Sequence, residues 1–243
     1  MSNRKSTNIL NLLSFTFLIY ASFIFRQRDN FLTAEKIDIF FRPAPFAFSI
    51  WFVIYISLII WIVKGFLATP KESVLYKDVG LWFSITMIFT GLSVLVSVKI
   101  SFIFSIIATF SSLIVYIIND ESSLSKLYKV PFSLLTAWLS VATIVNISLF
   151  LKSLGFTSFL FISEMGITIL VLILSTFIAM SFTLAKSDII FSLVFIWAYI
   201  GIIFENPSST FLIRSIFLMC VVLLSTIIFT LTTKDINMDK LTN

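Results

Sequence analysis

Trp51 and Tyr55 stand four residues apart in Phe41–Tyr55, FRPAPFAFSIWFVIY, and share one face if that stretch is helical. Trp138, Ala142 and Asn146 repeat the spacing in Pro131–Asn146, PFSLLTAWLSVATIVN. Such side chains are suited to holding a molecule rather than to making or breaking bonds. Indole rings offer large flat faces for stacking, and an amide in apolar surroundings needs a directed partner. Plainer roles fit the same residues. Trp51 and Tyr55 suit an interfacial aromatic belt, and Trp138 and Asn146 suit helix packing with an interhelical hydrogen bond.

Catalysis finds little footing. The chain has no His, and its one cysteine, Cys220, lies in an apolar run. There is no nucleophile with a His base, no acid–base pair inside an apolar run, and no His or Cys cluster for a metal. A His-held haem iron is excluded. The expectation is a protein that is not an enzyme and carries no resident cofactor.

The elements that must position these residues follow from composition. Of 243 residues, 59% are hydrophobic and only 12% charged, against about a quarter charged in a soluble domain. A bilayer is the solvent such a chain needs. Eight apolar runs are bounded by charges, prolines or polar clusters: Ile9–Phe25, Phe46–Val63, Val79–Val98, Ile100–Ile118, Val130–Leu151, Met165–Ala185, Ile189–Phe204 and Phe211–Thr233. Runs of about 17 to 25 residues cross a hydrocarbon core as helices; the seventh is short and needs flanking residues or local thinning. Ser97-Val98-Lys99 is read as a tight hairpin, since one helix through it would overshoot the membrane. The alternation of a membrane barrel is missing from the sequence. Pro43 and Pro45 predict an extended entry with a helix from about Phe46, and Pro131 suits a first helical turn. Ser133, Ala137 and Ser140 are small enough for close helix approach. The first run, longer than a signal core and without a small-x-small site before Arg26, is read as a retained helix.

The net charge of +5 comes from scattered cations, not from a nucleic-acid-binding stripe. Alternate sides hold Arg4, Lys5, Lys64, Lys71, Lys77, Lys126, Lys129, Lys186, Lys234 and Lys240 against Arg26, Arg28, Lys36, Arg42, Lys99, Lys152 and Arg214. Ten against seven of the 17 cations predicts that both termini are cytoplasmic. The connection from Arg26 to Pro45 is the longest polar one, of a length often used for binding loops or simply as a linker.

The two tryptophan-bearing stretches together resemble the TspO/MBR family of translocator and tryptophan-rich sensory proteins. That family opens its second helix with a Pro-rich turn and Trp-x-x-x-Tyr, matched by Trp51 and Tyr55. Its fifth helix carries Pro-Tyr and then Trp-x-x-x-Ala-Thr-x-x-Asn, matched by Pro131, Phe132, Trp138, Ala142, Thr143 and Asn146. The likeness covers Ile9–Leu151, and SDIIFSLVFIWAYIGI, with Asp188, Trp197 and Gly201, is similar to the penultimate helix of longer relatives. Three features depart from the short members. Pro45-Phe46-Ala47-Phe48-Ser49 replaces Gly-Trp-x-Phe-Pro, ITMIFTGLSVLV lacks the third-helix Asn-x-x-Trp, and Pro131 to Trp138 is longer by three.

The resemblance implies an all-α polytopic bundle: a TspO-like five-helix unit at residues 1–151 and a three-helix extension at 152–243. It also implies a hydrophobic ligand, a porphyrin-like tetrapyrrole or a sterol, bound within the bundle by Trp51, Tyr55, Trp138, Ala142 and Asn146. Passing or sensing that ligand would be its role. The rival readings are a permease or a scaffold subunit. Ion-coupled transport is disfavoured because Glu164, Asp188, Glu205 and Arg214 all sit near run ends, where they can snorkel, and because no inverted repeat is evident. The Ser175/Ala179 and Trp197/Gly201 faces would suit a homodimer contact, or packing within one chain.

Overall fold

The computed structural model describes residues 2–29, 37–122, 128–156, 158–159 and 162–242. Lys36 and Lys126 of the charge count, and positions 30–36 of the first connection, lie outside the described residues. The side chains of Arg4, Arg26, Arg28, Lys234 and Lys240 do so as well.

Among the described residues eight α-helices follow one another: α1 Ser2–Asp29, α2 Ile50–Leu67, α3 Pro70–Leu95, α4 Val98–Glu121, α5 Val130–Ser153, α6 Glu164–Lys186, α7 Ile189–Glu205 and α8 Thr210–Thr242. Seven helices are long and apolar enough to cross a membrane; α7, at 17 residues, is the short one. Its rise is about 25 Å. The expected hairpin stands between α3 and α4, with Ser97 as the N-cap of α4 and Ser101 Oγ donating to the Ser93 carbonyl at 2.7 Å. Pro45–Ser49 forms a 3-10 turn that runs directly into α2. A two-residue antiparallel pair, β1 Ser158–Phe159 with β2 Ile162–Ser163, precedes α6.

Local chemistry sets the boundaries. α3 begins nine residues before its apolar run because Thr69 and Glu72 form a capping box ahead of Pro70. Ser163 caps α6. Asp188, expected to snorkel, is instead buried and caps α7 by accepting from the Ile190 N–H at 3.2 Å.

The chain divides into two compact units, one of Met1–Asp38 with Ile50–Gly155 and one of Ile39–Ser49 with Phe156–Asn243. In the first, contacts run in a ring, α1 to α3 to α4 to α5 to α2 and back to α1. Neighbours α1 and α3 are parallel: Thr7 meets Gly80, Asn11 meets Ser84, and Phe17 meets Gly91. Every other neighbouring pair in the ring is antiparallel, as Asn8 with Gly65, Thr86 with Ser111, Asn146 with Ser105, and Trp61 with Phe132 illustrate. In the second unit α6, α7 and α8 pack on one another. There Tyr199 Oη lies 2.8 Å from both Ser175 Oγ and Thr176 Oγ1, and Thr183 bonds Ser192 at 2.8 Å. Ser175 and Ala179 are fully buried inside this unit, so the first small-residue face is used within the chain.

The α1–α3 approach depends on Gly80, where an added Cβ would stand 2.2 Å from Thr7 Cγ2. Gly80→Val is expected to destabilise the protein by about 1–3 kcal/mol through overpacking, measured by thermal melting in detergent. Adding Thr7→Ser, which removes that methyl, restores part of the loss.

Candidate functional site

The residues singled out by sequence all lie in the first unit, on α2 and α5, which are neighbours in its ring. Trp51 and Tyr55 form a tilted ring pair with centroids 5.2 Å apart, and both are half-buried. Tyr55 also faces α1, with its hydroxyl 3.0 Å from Ser22 Oγ and its ring edge-on to Phe15 at 6.0 Å. On α5, Asn146 Nδ2 donates to Ser105 Oγ of α4. One turn earlier Thr143 and Thr109 share a hydrogen bond of 2.8 Å, and Thr109 donates to the Leu139 carbonyl at 3.1 Å. Trp138 is only 1% exposed, whereas Ala142 is half-buried. Asn146 thus has the interhelical partner that its amide requires, and Trp138 is enclosed by its neighbours.

Burial differs sharply between the two ends of the ring. A helix packed on one side alternates buried and exposed residues with its 3.6-residue period. From 142 to 150, α5 departs from this: all nine residues are half-buried, whichever way they point. The last residues of α3, from 92 to 95, behave alike; Trp51 and Tyr55 are half-buried as well, on a stretch of α2 that keeps its alternation, with Phe52 and Val53 exposed and Ile54 buried. By the helix directions above, the end of α3, the end of α5 and the start of α2 lie at the same end of the ring. The helices there are less deeply buried than at the other end.

The opposite end is closed by aromatic rings. Trp61 stacks on Phe83 at 5.1 Å, meets Phe132 edge-on at 5.1 Å and lies 4.5 Å from the Tyr76 ring. All four are at most 2% exposed. Tyr76 Oη donates to the Trp61 carbonyl at 2.9 Å, and Asn8 Nδ2 donates to the Gly65 carbonyl at 2.7 Å. A polar rim lies beyond: Tyr128 donates to Glu72 Oε1 at 2.6 Å, Lys64 Nζ stands 5.2 Å from the Tyr128 ring, and Lys129 pairs with Asp120 at 2.8 Å. Burial, helped by the hydrogen bond to Glu72, pushes the Tyr128 hydroxyl up to about 12.

Trp61, Tyr76 and Phe83 escaped the sequence reading, as did Asn8 and Asn11, which α1 buries. A signal for Trp61 was present: Ile54, Leu58, Trp61 and Gly65 are spaced by four, three and four, and all four are buried. Among the described residues no group of three His, Cys, Asp or Glu could hold a metal ion.

Fold and site together define a polytopic helical membrane protein whose first five helices form a ring, half-buried at one end and packed with aromatic rings at the other. A family model described as TSPO-like protein matches residues 5–233, nearly the whole chain, and the chain belongs to that family. Neither a curated protein nor a solved structure matches it.

The two tryptophans of α2 differ in structural weight. Trp61→Ala is expected to cost about 3 kcal/mol, because the cavity left among three rings cannot collapse. Trp51→Ala should cost less than half of that, as judged by paired melting curves in one detergent.

Proposed function

We propose that this protein binds a rigid, mainly hydrophobic molecule of the tetrapyrrole or sterol class at the half-buried end of the five-helix ring, where α2 begins and α5 ends, and senses or passes it without chemical change. The observation that carries the reading is the uniform half-burial of α5 from 142 to 150, at the same end of the ring as the Trp51–Tyr55 pair. Pockets between bundle helices are mostly apolar with a few placed polar groups, and this end supplies that mixture. Trp51 and Tyr55 offer stacking faces, Ala142 leaves room, and the Asn146 amide offers a polar contact. Trp138, enclosed deeper on α5, backs the wall. Membership of the TSPO-like family supports the ligand class. The aromatic closure at Trp61 favours a dead-ended chamber, and so sensing or storage over free passage in this conformation. Among the described residues no group of three His, Cys, Asp or Glu could hold a metal ion, and the proposal includes no catalytic step.

Titration of purified protein with protoporphyrin is expected to quench tryptophan fluorescence saturably. Trp51→Leu and Asn146→Leu should each weaken binding about tenfold, the change made by losing one good stacking or polar contact. Trp61→Phe should leave the affinity within about twofold. An unsaturable, linear response in the wild type and all variants would remove the ligand reading.

The orientation follows from charge. With the N-terminus in the cytoplasm, as the cation balance predicts, the Trp61 end with Lys64, Lys71, Lys77 and Lys129 faces the cytoplasm and the half-buried end with Trp51 faces away. Reporter fusions after Gly155 should then read as non-cytoplasmic, and fusions after Thr69 as cytoplasmic; the reverse pattern would invert the assignment.

A further inference from the structure

Within the second unit, the segment Ile39–Ser49 lies along α7, and it is held by its backbone. The Trp197 indole N–H donates to the Ala47 carbonyl at 2.8 Å. One turn further on, the Gly201 carbonyl accepts the Ala44 N–H at 3.0 Å. At the helix end Asn206 Nδ2 donates to the Phe40 carbonyl at 3.1 Å while also donating to the Ile202 carbonyl at 2.9 Å. These anchors run in strict antiparallel order, 47 with 197, 44 with 201 and 40 with 206.

Shape enforces the same register. A Cβ on Gly201 would stand 2.8 Å from Ala47 Cβ and 2.9 Å from Pro43 Cβ, with the Pro43 Cα at 3.4 Å, so only glycine admits the segment at this distance. Phe46 sets its ring edge-on to Trp197 at 5.7 Å and to Phe204 at 5.3 Å. Ile39, Phe41, Ala44 and Ala47 are buried in consequence. Pro43 and Pro45 pre-set an extended entry and lack N–H groups that would need partners. The 3-10 turn Pro45–Ser49 then passes into α2 without a break, so the anchored Ala47 carbonyl is one helical turn ahead of Trp51.

We infer that α7 is a clamp: Trp197, Gly201 and Asn206 grip the backbone of 40–47 and thereby set the first turn of α2, which makes them positioning residues for the Trp51–Tyr55 pair. The C-terminal extension on this view supplies the seat of the connection that leads into the ligand-facing helix. Its consequence for a ligand rests on the binding function proposed above; the clamp itself does not. Loss of an anchor frees the segment, and the start of α2 loses its fixed position.

The test uses the full chain with Cys220→Ser, which removes the native thiol, and single reporters at Ala44→Cys or Ile50→Cys, both sites buried. Labelling by a water-soluble maleimide should be slow at both. Gly201→Val is expected to raise both rates about tenfold, since local opening controls reactivity at buried sites. Trp197→Phe, which keeps the ring but loses the N–H, should raise them severalfold even if Gly201→Val fails to fold. Leu193→Ala, on an exposed face of α7, serves as the control and should change neither rate. Protoporphyrin affinity should fall severalfold in Trp197→Phe. Unchanged labelling at Ala44→Cys in Trp197→Phe would overturn the clamp. Faster labelling there with an unchanged Ile50→Cys rate would overturn its hold on α2. If the unmodified chain binds no protoporphyrin, the ligand proposal fails alone and the two labelling rates still decide the clamp.

Discussion

In hydrocarbon, apolar side chains gain nothing by leaving lipid for one another, so helices must associate through close packing and through polar groups that have no water to bond. This constraint shapes both units. Small residues let backbones approach, as Gly80 does under Thr7 and Gly201 does under Pro43 and Ala47. Hydroxyls and amides then fasten the contact: Thr86 to Ser111, Thr109 to Thr143, Asn146 to Ser105, and Tyr199 to Ser175 and Thr176. Many remaining hydroxyls bond carbonyls three or four residues earlier in their own helix, as Ser105 and Thr230 do, which lets a polar side chain reside in an apolar run.

Within the five-helix ring this bonding is unevenly distributed. Side-chain hydrogen bonds join α3 to α4 and α4 to α5 at several levels, whereas α2 meets its neighbours through the rings around Trp61, the Asn8–Gly65 bond and the Ser22–Tyr55 bond. The rings around Trp61 are fully buried, whereas Trp51, Tyr55 and residues 142–150 of α5 are half-buried. Packing is therefore tightest in the second half of α2, where rings from α3 and α5 meet the indole.

The second unit shows how a short helix is accommodated. α7 has 17 residues, and both its ends are capped by side chains that need no solvent: Asp188 accepts from Ile190 at the start, and Asn206 closes the finish. Its middle carries the Tyr199 hydroxyl, bonded into α6, and its Trp197–Gly201 face is filled by the segment Ile39–Ser49. A face that in isolation reads as a dimerisation surface is already occupied.

The sequence alone determined the membrane class, the number of helices and most of their extents, because a bilayer demands long unbroken apolar runs and those are visible residue by residue. It also carried the family, through Trp51, Tyr55, Trp138 and Asn146 at fixed spacing. Starts such as that of α3 were less legible, since the capping box at Thr69 and Glu72 extends the helix through polar residues that hydropathy assigns to a loop. What only the tertiary structure decided is which aromatic does what. Trp51 and Trp61 stand on the same helix, yet one is half-buried beside Tyr55 and the other is buried among Tyr76, Phe83 and Phe132. The spacing of Ile54, Leu58, Trp61 and Gly65 marks a buried face of α2, but the rings that meet Trp61 there, Phe83 and Phe132, are distant in sequence, and only the fold brings them opposite it.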